Sequence, residues 1–254
     1  MDVAVAAAQA AAEDIMRYYR ADFEVEFKAD QTPVTVADRK AEQTIRHILL
    51  EAFPDHGFFG EEGGNEQADV EYLWLVDPLD GTKSFVRGYG MFSTQIALMR
   101  GGELILGVSS APAAGELARA AKGAGAQLDG APLSVSDVST LSDASLSTGN
   151  IRSLAASGSW SSLGNILALA NRTRGYGDYY HYHRLAAGQI DAVIESDINI
   201  LDIAALYVIV TESGGVFTDL QGQAVGLDTT SVLAATPGLH SLLLEKLNAG
   251  PGST

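Results

Sequence analysis

The sequence contains no cysteine among its 254 residues. This absence excludes disulfides, thiolate zinc sites, iron–sulfur clusters and thiol nucleophiles. Any bound metal must therefore be held by oxygen or imidazole, and oxygen ligands select hard cations such as magnesium, calcium or manganese.

Basic residues are also scarce, because 16 lysines and arginines face 32 acidic residues and leave a formal charge of −16. A chain this acidic repels nucleic-acid backbones, so we do not expect a nucleic-acid partner. The mean field also disfavours anionic substrates. A site that handles phosphate would therefore need bound cations to reverse the local potential.

The sequence has no uninterrupted apolar run of the length that a membrane-spanning helix needs, so no membrane partner is expected. The N-terminus, Met1-Asp2-Val3-Ala4, lacks the basic region of a secretory signal. These features favour a cytoplasmic protein. Hydrophobic residues make up 46% of the chain and charged residues 19%, which indicates a folded core.

Helical and strand-like patterns alternate along the chain. The spacing predicts helices over residues 2–20 and Ala37–Phe53, and a buried strand over Tyr72–Val76 that ends at Asp77-Pro78. The serine-rich stretch Ser142–Ser162 is predicted to be a loop or crossover. Two mixed α/β halves, about 1–130 and 131–254, fit this pattern as stacked layers of helix and sheet.

The segment that follows the buried strand concentrates oxygen ligands. Asp77 stands at the carboxyl end of the strand, where open α/β folds place their ligands. Pro78 forces a turn that brings Asp80 beside Asp77 and exposes the carbonyl of Leu79. Two carboxylates pressed together need a cation to relieve their repulsion.

Gly81 and Thr82 then begin a helix, and the free N–H groups of a helix start can bind phosphate. Carboxylates for a cation and amides for a phosphate thus lie within six residues. The alternative is a simple turn in which Asp80 caps the helix and Asp77 satisfies backbone groups.

Three further segments supply carboxylates. Gly60-Glu61-Glu62-Gly63 follows a short strand, Thr35-Val36-Ala37-Asp38 opens the second helix, and Leu201-Asp202-Ile203-Ala204-Ala205 opens a third. The first and third have ordinary alternatives, an acidic surface loop for Gly60-Glu61-Glu62-Gly63 and an N-cap for Asp202 at the start of the apolar helix.

Together these segments resemble the inositol monophosphatase superfamily of metal-dependent, lithium-sensitive phosphatases. Four blocks occur in the family's order: T-x-A-D at Thr35–Asp38, G-E-E at Gly60–Glu62, W-x-x-D-P-x-D-G-T at Trp74–Thr82, and D-x-A-A at Asp202–Ala205. The resemblance implies one phosphatase domain over residues 1–254. It further implies a layered αβαβα sandwich of the inositol monophosphatase and fructose-1,6-bisphosphatase type, and a homodimer.

The resemblance also implies a set of metal ligands. Glu61, Asp77 and the Leu79 carbonyl would hold one Mg²⁺. Asp77, Asp80 and Asp202 would hold a second, with Asp77 bridging. A weaker third ion near Glu61 is compatible with the family pattern.

Catalytic roles follow in the same way. Thr82, backed by Asp38, resembles the pair that orients and deprotonates the attacking water, and Glu61 belongs to the same catalytic set. Asp80, Gly81, Thr82 and Asp202 are expected to contact the substrate, with the Gly81 and Thr82 N–H groups on the phosphoryl oxygens.

Two other positions bear on the resemblance. Lys28 corresponds to a mobile loop near the metals in the family, although a solvated surface lysine is an equal alternative. Leu201 stands where the family usually has tryptophan, a departure that affects packing rather than the ligand at Asp202.

Two segments bear on which phosphate ester is the substrate. Asp80-Gly81-Thr82-Lys83-Ser84-Phe85 and Arg174-Gly175-Tyr176-Gly177-Asp178 resemble forms found in histidinol-phosphate phosphatases of this superfamily. Glu195 occupies the family's position for contacting the leaving alcohol. Asp178 and Glu195 would favour a cationic alcohol such as histidinol, and Arg174 would contact the phosphate or orient Asp178.

Several alternatives stay open at this point. Asp178 could be a turn residue and Arg174 a surface ion pair. Inositol monophosphate or a 3′(2′),5′-bisphosphate nucleotide are rival substrates. An alternative function of a different class is that of a non-catalytic acidic protein, in which the carboxylates only bind a cation. Because His181 and His183 point apart at i and i+2 on a helix, we expect packing or surface roles for them rather than joint chelation.

Overall fold

The structure is a computed structural model that describes residues 1–21, 25–27, 33–66 and 70–249. The chain divides into two compact units. The first comprises Met1–Ala131 and Leu201–Ile209, and the second comprises Pro132–Ile200 and the chain from Val210 onward. The sequence pattern suggests two halves that meet near residue 130. In the structure the short later segment Leu201–Ile209 also belongs to the first unit. That the two units form one phosphatase domain stays a prediction.

The first unit contains helices, a two-stranded sheet and an eight-stranded sheet. Its elements are α1 (Asp2–Tyr18), β1 (Val25–Phe27), β2 (Pro33–Thr35), α2 (Val36–Ala52), β3 (Gly57–Gly60), β4 (Gly64–Glu66), β5 (Tyr72–Asp80), α3 (Thr82–Val86), β6 (Ser93–Arg100), β7 (Glu103–Ala111), β8 (Glu116–Ala121), β9 (Ala126–Leu128) and β10 (Ala131–Pro132). Strands β1 and β2 form the small antiparallel sheet, and the large sheet has the order β10-β9-β8-β7-β6-β5-β3-β4. Strand β5 runs parallel to β3 and antiparallel to β6, which is antiparallel to β7. Helices α1 and α2 pack together as a pair.

The helix pair covers one face of this sheet. Helix α1 contributes buried alanines, whose small side chains let α2 approach closely, and α2 contributes an apolar row at helical spacing. Both rows join one core with the strand residues Trp74, Val76, Ile96 and Val108. The start of α2 is fixed by a capping box, because the Thr35 side chain and the Asp38 carboxylate each bond the other's backbone.

The opposite face of the sheet meets the later segment. On β7, Leu106 and Val108 face the helix pair, so Gly107 between them faces the other way. A β-carbon at Gly107 would lie 2.3 Å from the carbonyl oxygen of Ala205. Glycine is therefore required for the Leu201–Ile209 part of α7 (Ile200–Glu212) to pack on the sheet.

The second unit has a five-stranded sheet of order β12-β11-β13-β15-β14. Strand β11 runs parallel to both neighbours, whereas β15 runs antiparallel to β13 and β14. Its elements are β11 (Ser145–Thr148), α4 (Ile151–Ala156), α5 (Trp160–Leu169), β12 (Arg172–Arg174), α6 (Asp178–Ala186), β13 (Ala192–Ser196), β14 (Val216–Thr218), β15 (Ser231–Ala235) and α8 (Pro237–Asn248). Leucines of α4, α5 and α8 pack on this sheet in a second core.

The predicted end of the buried strand is wrong. Strand β5 does not stop at Asp77-Pro78 but continues to Asp80, because a bulge accommodates the proline and Thr94 donates a hydrogen bond to its carbonyl. Of the two alternatives for Ser142–Ser162, the structure shows the crossover, since the stretch contains β11, α4 and the start of α5, which lead to the parallel strand β12. Serine side chains there bond inside the unit, which permits a buried parallel strand despite the polar composition.

Among the residues that the structure describes, no helix has the length and apolar character required to cross a membrane.

The contact at Gly107 gives a stability prediction. We expect Gly107→Ala to lower the free energy of unfolding by about 1–3 kcal/mol, because the added methyl group meets backbone that cannot move aside. Gly164→Ala is the matched control, since Gly164 lies inside α5 with no described atom within 4 Å of the new methyl group. That variant should gain about 0.5–1 kcal/mol. Urea unfolding measures both, and equal effects would contradict the packing at Gly107.

Candidate active site

Three carboxylates from distant parts of the sequence meet in the first unit. Asp77 and Asp80 lie on β5, and Asp202 lies in the first turn of α7. Each residue contributes one carboxylate oxygen, and these three oxygens all lie within 4.8 Å of one another. Asp77 is buried, while Asp80 and Asp202 are partly exposed.

The bulge in β5 is what brings the first two carboxylates together. Asp77 pairs with Gln95 on β6 and Asp80 pairs with Ser93, so three steps along β5 correspond to two along β6. In a regular strand, residues three apart point to opposite faces. The extra residue turns Asp80 to the side of Asp77, and the Leu79 N–H donates to Asp77 Oδ1 at 2.9 Å.

Glu61 adds a fourth carboxylate to this group by forming a side-chain hydrogen bond with Asp77. Burial raises the pKa of Asp77 well above its ordinary value, and the charges of Glu61, Asp80 and Asp202 raise it further. Carboxylates crowded in this way are the ligands that a hard divalent cation prefers, so the residues fit the metal implied by the sequence.

Glu42 holds the loop that carries Glu61, and sequence reasoning missed it. Its two carboxylate oxygens accept the N–H groups of Glu62 at 2.7 Å and Gly63 at 2.6 Å. A β-carbon at Gly60 would lie 2.4 Å from Glu42 Oε2, so the glycine makes room for this carboxylate. The available signal was an acidic residue on the buried face of α2, four positions after Asp38.

Thr82 and Asp38 form the contact that the sequence predicts. Thr82 Oγ1 lies 3.0 Å from Asp38 Oδ1 and 2.9 Å from the Leu79 carbonyl oxygen. The hydroxyl has one hydrogen, so it can donate to only one of these acceptors at a time. Asp38 Oδ2 accepts the Thr35 hydroxyl at 2.6 Å and the Thr35 N–H at 2.8 Å.

Asp38 has an unusual proton affinity for a carboxyl group. Burial raises its pKa from 3.8 to about 6, although the hydrogen bonds from Thr35 and Thr82 act in the opposite direction. A carboxylate with this pKa accepts a proton more readily than an ordinary aspartate does at neutral pH.

Gly81 makes the turn from β5 into α3. Its φ is +85°, a left-handed conformation that favours glycine, and a β-carbon would lie 2.5 Å from the Met91 carbonyl oxygen. Gly81 is the N-cap residue of α3, so the alternative in which Asp80 caps this helix does not hold. Thr82 is the first residue of this helix, as the predicted phosphate contact requires.

A buried series of polar side chains fixes the orientation of Asp80, and sequence reasoning did not anticipate it. Ser93 Oγ donates to Asp80 Oδ2 at 3.0 Å, and the Gln95 side-chain amide donates to Ser93 Oγ at 2.8 Å and to Ser109 Oγ at 3.1 Å. All three of these side chains are fully buried. Ser93 donates its only hydroxyl hydrogen to Asp80, so the Ser93 oxygen acts as an acceptor toward Gln95. The nitrogen of the Gln95 side-chain amide must therefore point toward Ser93.

The predicted substrate residues Arg174, Asp178 and Glu195 all lie in the second unit. Arg174 ends β12, is exposed, and donates from Nη1 to the Thr173 carbonyl at 2.7 Å. Asp178 is the first residue of α6 and has a positive φ of 47°. Glu195 lies on β13 and is buried. Their substrate contacts stay predictions.

Two further sequence positions complete the comparison. Leu201 is buried, in keeping with a packing role where the family carries tryptophan. Lys28 lies outside the described residues.

A clustered carboxylate site beside a hydroxyl–carboxylate pair, on a mixed α/β scaffold, is typical of phosphoric monoester hydrolases that use divalent cations. The model of the inositol monophosphatase family matches residues 1–251. The chain belongs to the inositol monophosphatase family, and the prediction of a phosphoric monoester hydrolase is confirmed at that level.

Individual relatives agree with this assignment. The chain is 39% identical over 240 residues to the histidinol-phosphatase of Mycobacterium tuberculosis, covering 92% of each chain. It is 39% identical over 251 residues to that of Streptomyces coelicolor, covering 95% of this chain and 93% of the other. Among solved structures, the extragenic suppressor protein suhB from Bartonella henselae superposes with a TM-score of 0.90 at 32% identity over 98% of both chains. The predicted fold class is therefore confirmed.

The raised pKa of Asp38 predicts a pH dependence of stability. Between pH 3.8 and about 6 the folded protein holds this proton and the unfolded chain does not, so the contribution of Asp38 to stability falls as pH rises through that window. From 1.36 kcal/mol per pH unit, the wild type should lose roughly 2–2.5 kcal/mol relative to Asp38→Asn between pH 4 and pH 7.

Urea unfolding of both proteins at the two pH values, in chelator, measures this difference. Asp143→Asn, which alters an exposed carboxylate, is the control and should show no comparable change. A difference between wild type and Asp38→Asn that stays constant with pH would contradict the raised pKa.

Proposed function

We propose that the protein is a magnesium-dependent phosphomonoesterase that hydrolyses L-histidinol phosphate to L-histidinol and phosphate. The observation that carries the proposal is the carboxylate cluster of Asp77, Asp80 and Asp202 beside the hydrogen-bonded pair of Thr82 and Asp38. The cluster suits divalent cations, and the pair suits a water molecule that must lose a proton.

Two Mg²⁺ ions would be held by this chain's oxygens, and a weaker third would lie near Glu61. Glu61, Asp77 and the Leu79 carbonyl would hold one, and Asp77, Asp80 and Asp202 the other. When bound, the cations would neutralise the carboxylates and the phosphoryl oxygens and make water easier to deprotonate. The crowding at Asp77 supports the need for such charge compensation.

The remaining chemistry belongs to side chains and backbone groups of the chain. Thr82 Oγ1 would orient the attacking water and accept its proton while passing its own proton to Asp38 Oδ1, 3.0 Å away. If the Leu79 carbonyl is engaged by a cation, the Thr82 hydroxyl would donate to Asp38 Oδ1 instead. The N–H groups of Gly81 and Thr82 would bind phosphoryl oxygens as charge shifts during displacement.

The choice of histidinol phosphate rests on charge and on the relatives. Histidinol carries an ammonium group, and the positions of Asp178 and Glu195 in the family pattern supply carboxylates for it. The two relatives at 39% identity bear the name histidinol-phosphatase, which supports the same choice. Arg174 would contact the phosphate or orient Asp178.

Inositol monophosphate is the main rival substrate, because the family takes its name from it. A 3′(2′),5′-bisphosphate nucleotide is a second rival. A cation-binding protein without catalysis is disfavoured, since such a site has no use for the contact between Thr82 and Asp38. The expected cytoplasmic homodimer without nucleic-acid partner stays a prediction from the sequence.

A substrate panel tests the proposed activity. We expect phosphate release from histidinol phosphate to exceed that from inositol 1-phosphate and adenosine 3′,5′-bisphosphate in kcat/KM, and to stop when chelator removes Mg²⁺. Asp178→Asn should lower kcat/KM for histidinol phosphate by about tenfold and leave inositol 1-phosphate nearly unchanged, because it removes one charge-assisted contact. Faster turnover of inositol 1-phosphate by the wild type would reject histidinol phosphate as the substrate.

A graded series of variants tests the cation site itself. Asp80→Asn should lower kcat by at least ~10²-fold, since removing a ligand loses several kcal/mol of charge stabilisation. Ser93→Ala should weaken Mg²⁺ binding by about tenfold through loss of the hydrogen bond that orients Asp80. Calorimetric titration with Mg²⁺ measures binding without turnover, and Asp143→Asn is the control. Unchanged binding in Asp80→Asn would place the cation elsewhere.

A further inference from the structure

Glu195 lies at the centre of a buried hydrogen-bond network in the second unit. Its Oε2 atom accepts the Tyr182 hydroxyl at 2.7 Å and lies 3.1 Å from Nε2 of His181. On the other side of the imidazole, His181 Nδ1 lies 3.2 Å from Ser147 Oγ, which also accepts the Tyr176 N–H at 3.2 Å. Ser147 and His181 are fully buried, and Glu195 is 4% exposed.

Hydrogen-bond accounting assigns the tautomer of His181. Glu195 Oε2 receives the Tyr182 hydroxyl and acts as an acceptor, so His181 Nε2 must carry a hydrogen to bond it. Nδ1 is then free to accept the Ser147 hydroxyl, whose oxygen already takes the Tyr176 N–H. With one neutral imidazole and one carboxylate, each of the four contacts in this hydrogen-bond network has one donor and one acceptor.

The carboxylate is also confined by packing. A β-carbon at Gly149 would lie 1.8 Å from Glu195 Oε1, so glycine at this position creates the space that the second oxygen occupies. A buried charge is costly unless it receives hydrogen bonds, and both donors here come from α6. The side chain of Glu195 therefore has one available orientation, set by His181 and Tyr182.

The network is unlike a hydrolytic Ser-His-acid triad despite its composition. Ser147 is fully enclosed, and its oxygen accepts a backbone N–H instead of facing a substrate. The series of contacts runs from Ser147 through His181 to Glu195. Glu195 is the group that, under the proposed function, contacts the leaving alcohol. Ser147 and His181 therefore do not form a nucleophile–base pair for attack on phosphorus.

We propose that His181, supported by Ser147 and together with Tyr182, is a positioning residue that fixes the Glu195 carboxylate for recognition of a cationic alcohol. This inference rests on the proposed function. Substrate specificity would then depend on a buried histidine that does not touch the substrate, in addition to the predicted contact residues.

Nuclear magnetic resonance of the imidazole nitrogens tests the geometry without any substrate. We expect His181 in the wild type to be neutral with its hydrogen on Nε2, and we expect that hydrogen to exchange slowly with solvent. A hydrogen on Nδ1 alone, or an imidazolium at pH 7.5, would overturn the network as described.

Kinetics test the consequence for specificity. We expect His181→Leu and Tyr182→Phe to lower kcat/KM for histidinol phosphate by about tenfold relative to 4-nitrophenyl phosphate, whose leaving group offers no cation. His181→Gln should recover part of the loss, because its amide can donate from the position of Nε2. His183→Leu controls for loss of a buried histidine on the same helix and should leave the ratio of the two substrates unchanged.

An equal loss for both substrates in Tyr182→Phe, which preserves the packing of the ring, would overturn the inference and indicate a structural role only. Failure of the proposed function gives a different result, namely wild-type turnover of inositol 1-phosphate above that of histidinol phosphate. That result would remove the cationic alcohol on which the inference rests, whereas an unchanged ratio in Tyr182→Phe with histidinol phosphate as the preferred substrate would overturn the inference alone.

Discussion

Carboxylates that are brought together away from water repel one another, and the first unit is built around such a repulsion. Asp77 is buried among Glu61, Asp80 and Asp202. Burial and the charges of these neighbours both raise its pKa. Nothing in the hydrophobic core requires this arrangement, because the sheet could end in neutral side chains without losing its packing. The scaffold therefore bears a local electrostatic penalty that bound divalent cations would remove.

The surrounding elements can be understood as supports for this cluster. The bulge in β5 turns Asp80 toward Asp77, Ser93 and Gln95 set the plane of Asp80, and Glu42 holds the loop of Glu61. None of these supporting groups needs to touch a substrate. Their hydrogen bonds restrict the rotamers of the carboxylates, which is how a site on rigid strands and helices keeps ligands in place before any ion arrives.

The sequence predicted the carboxylates well because they belong to short local blocks, in which strand ends, glycines and acids stand next to one another. It did not predict Glu42, Ser93 or His181, whose partners are distant in sequence and become evident only when strands and helices are paired. The end of β5 was misplaced because Pro78 is an ordinary stop signal unless a bulge removes the need for its N–H. The serine-rich stretch left loop and crossover open for a related reason, since His181, the polar partner of Ser147, lies 34 positions away in the sequence.

The membership of Leu201–Ile209 in the first unit bears on how the chain is made. During synthesis the ribosome releases the eight-stranded sheet long before it releases Asp202, so one face of that sheet waits for a segment about 95 residues beyond Gly107 in the sequence. Contacts of such long sequence separation form slowly and leave apolar surface exposed in the interim. The cation site is therefore completed only after Asp202 has been released.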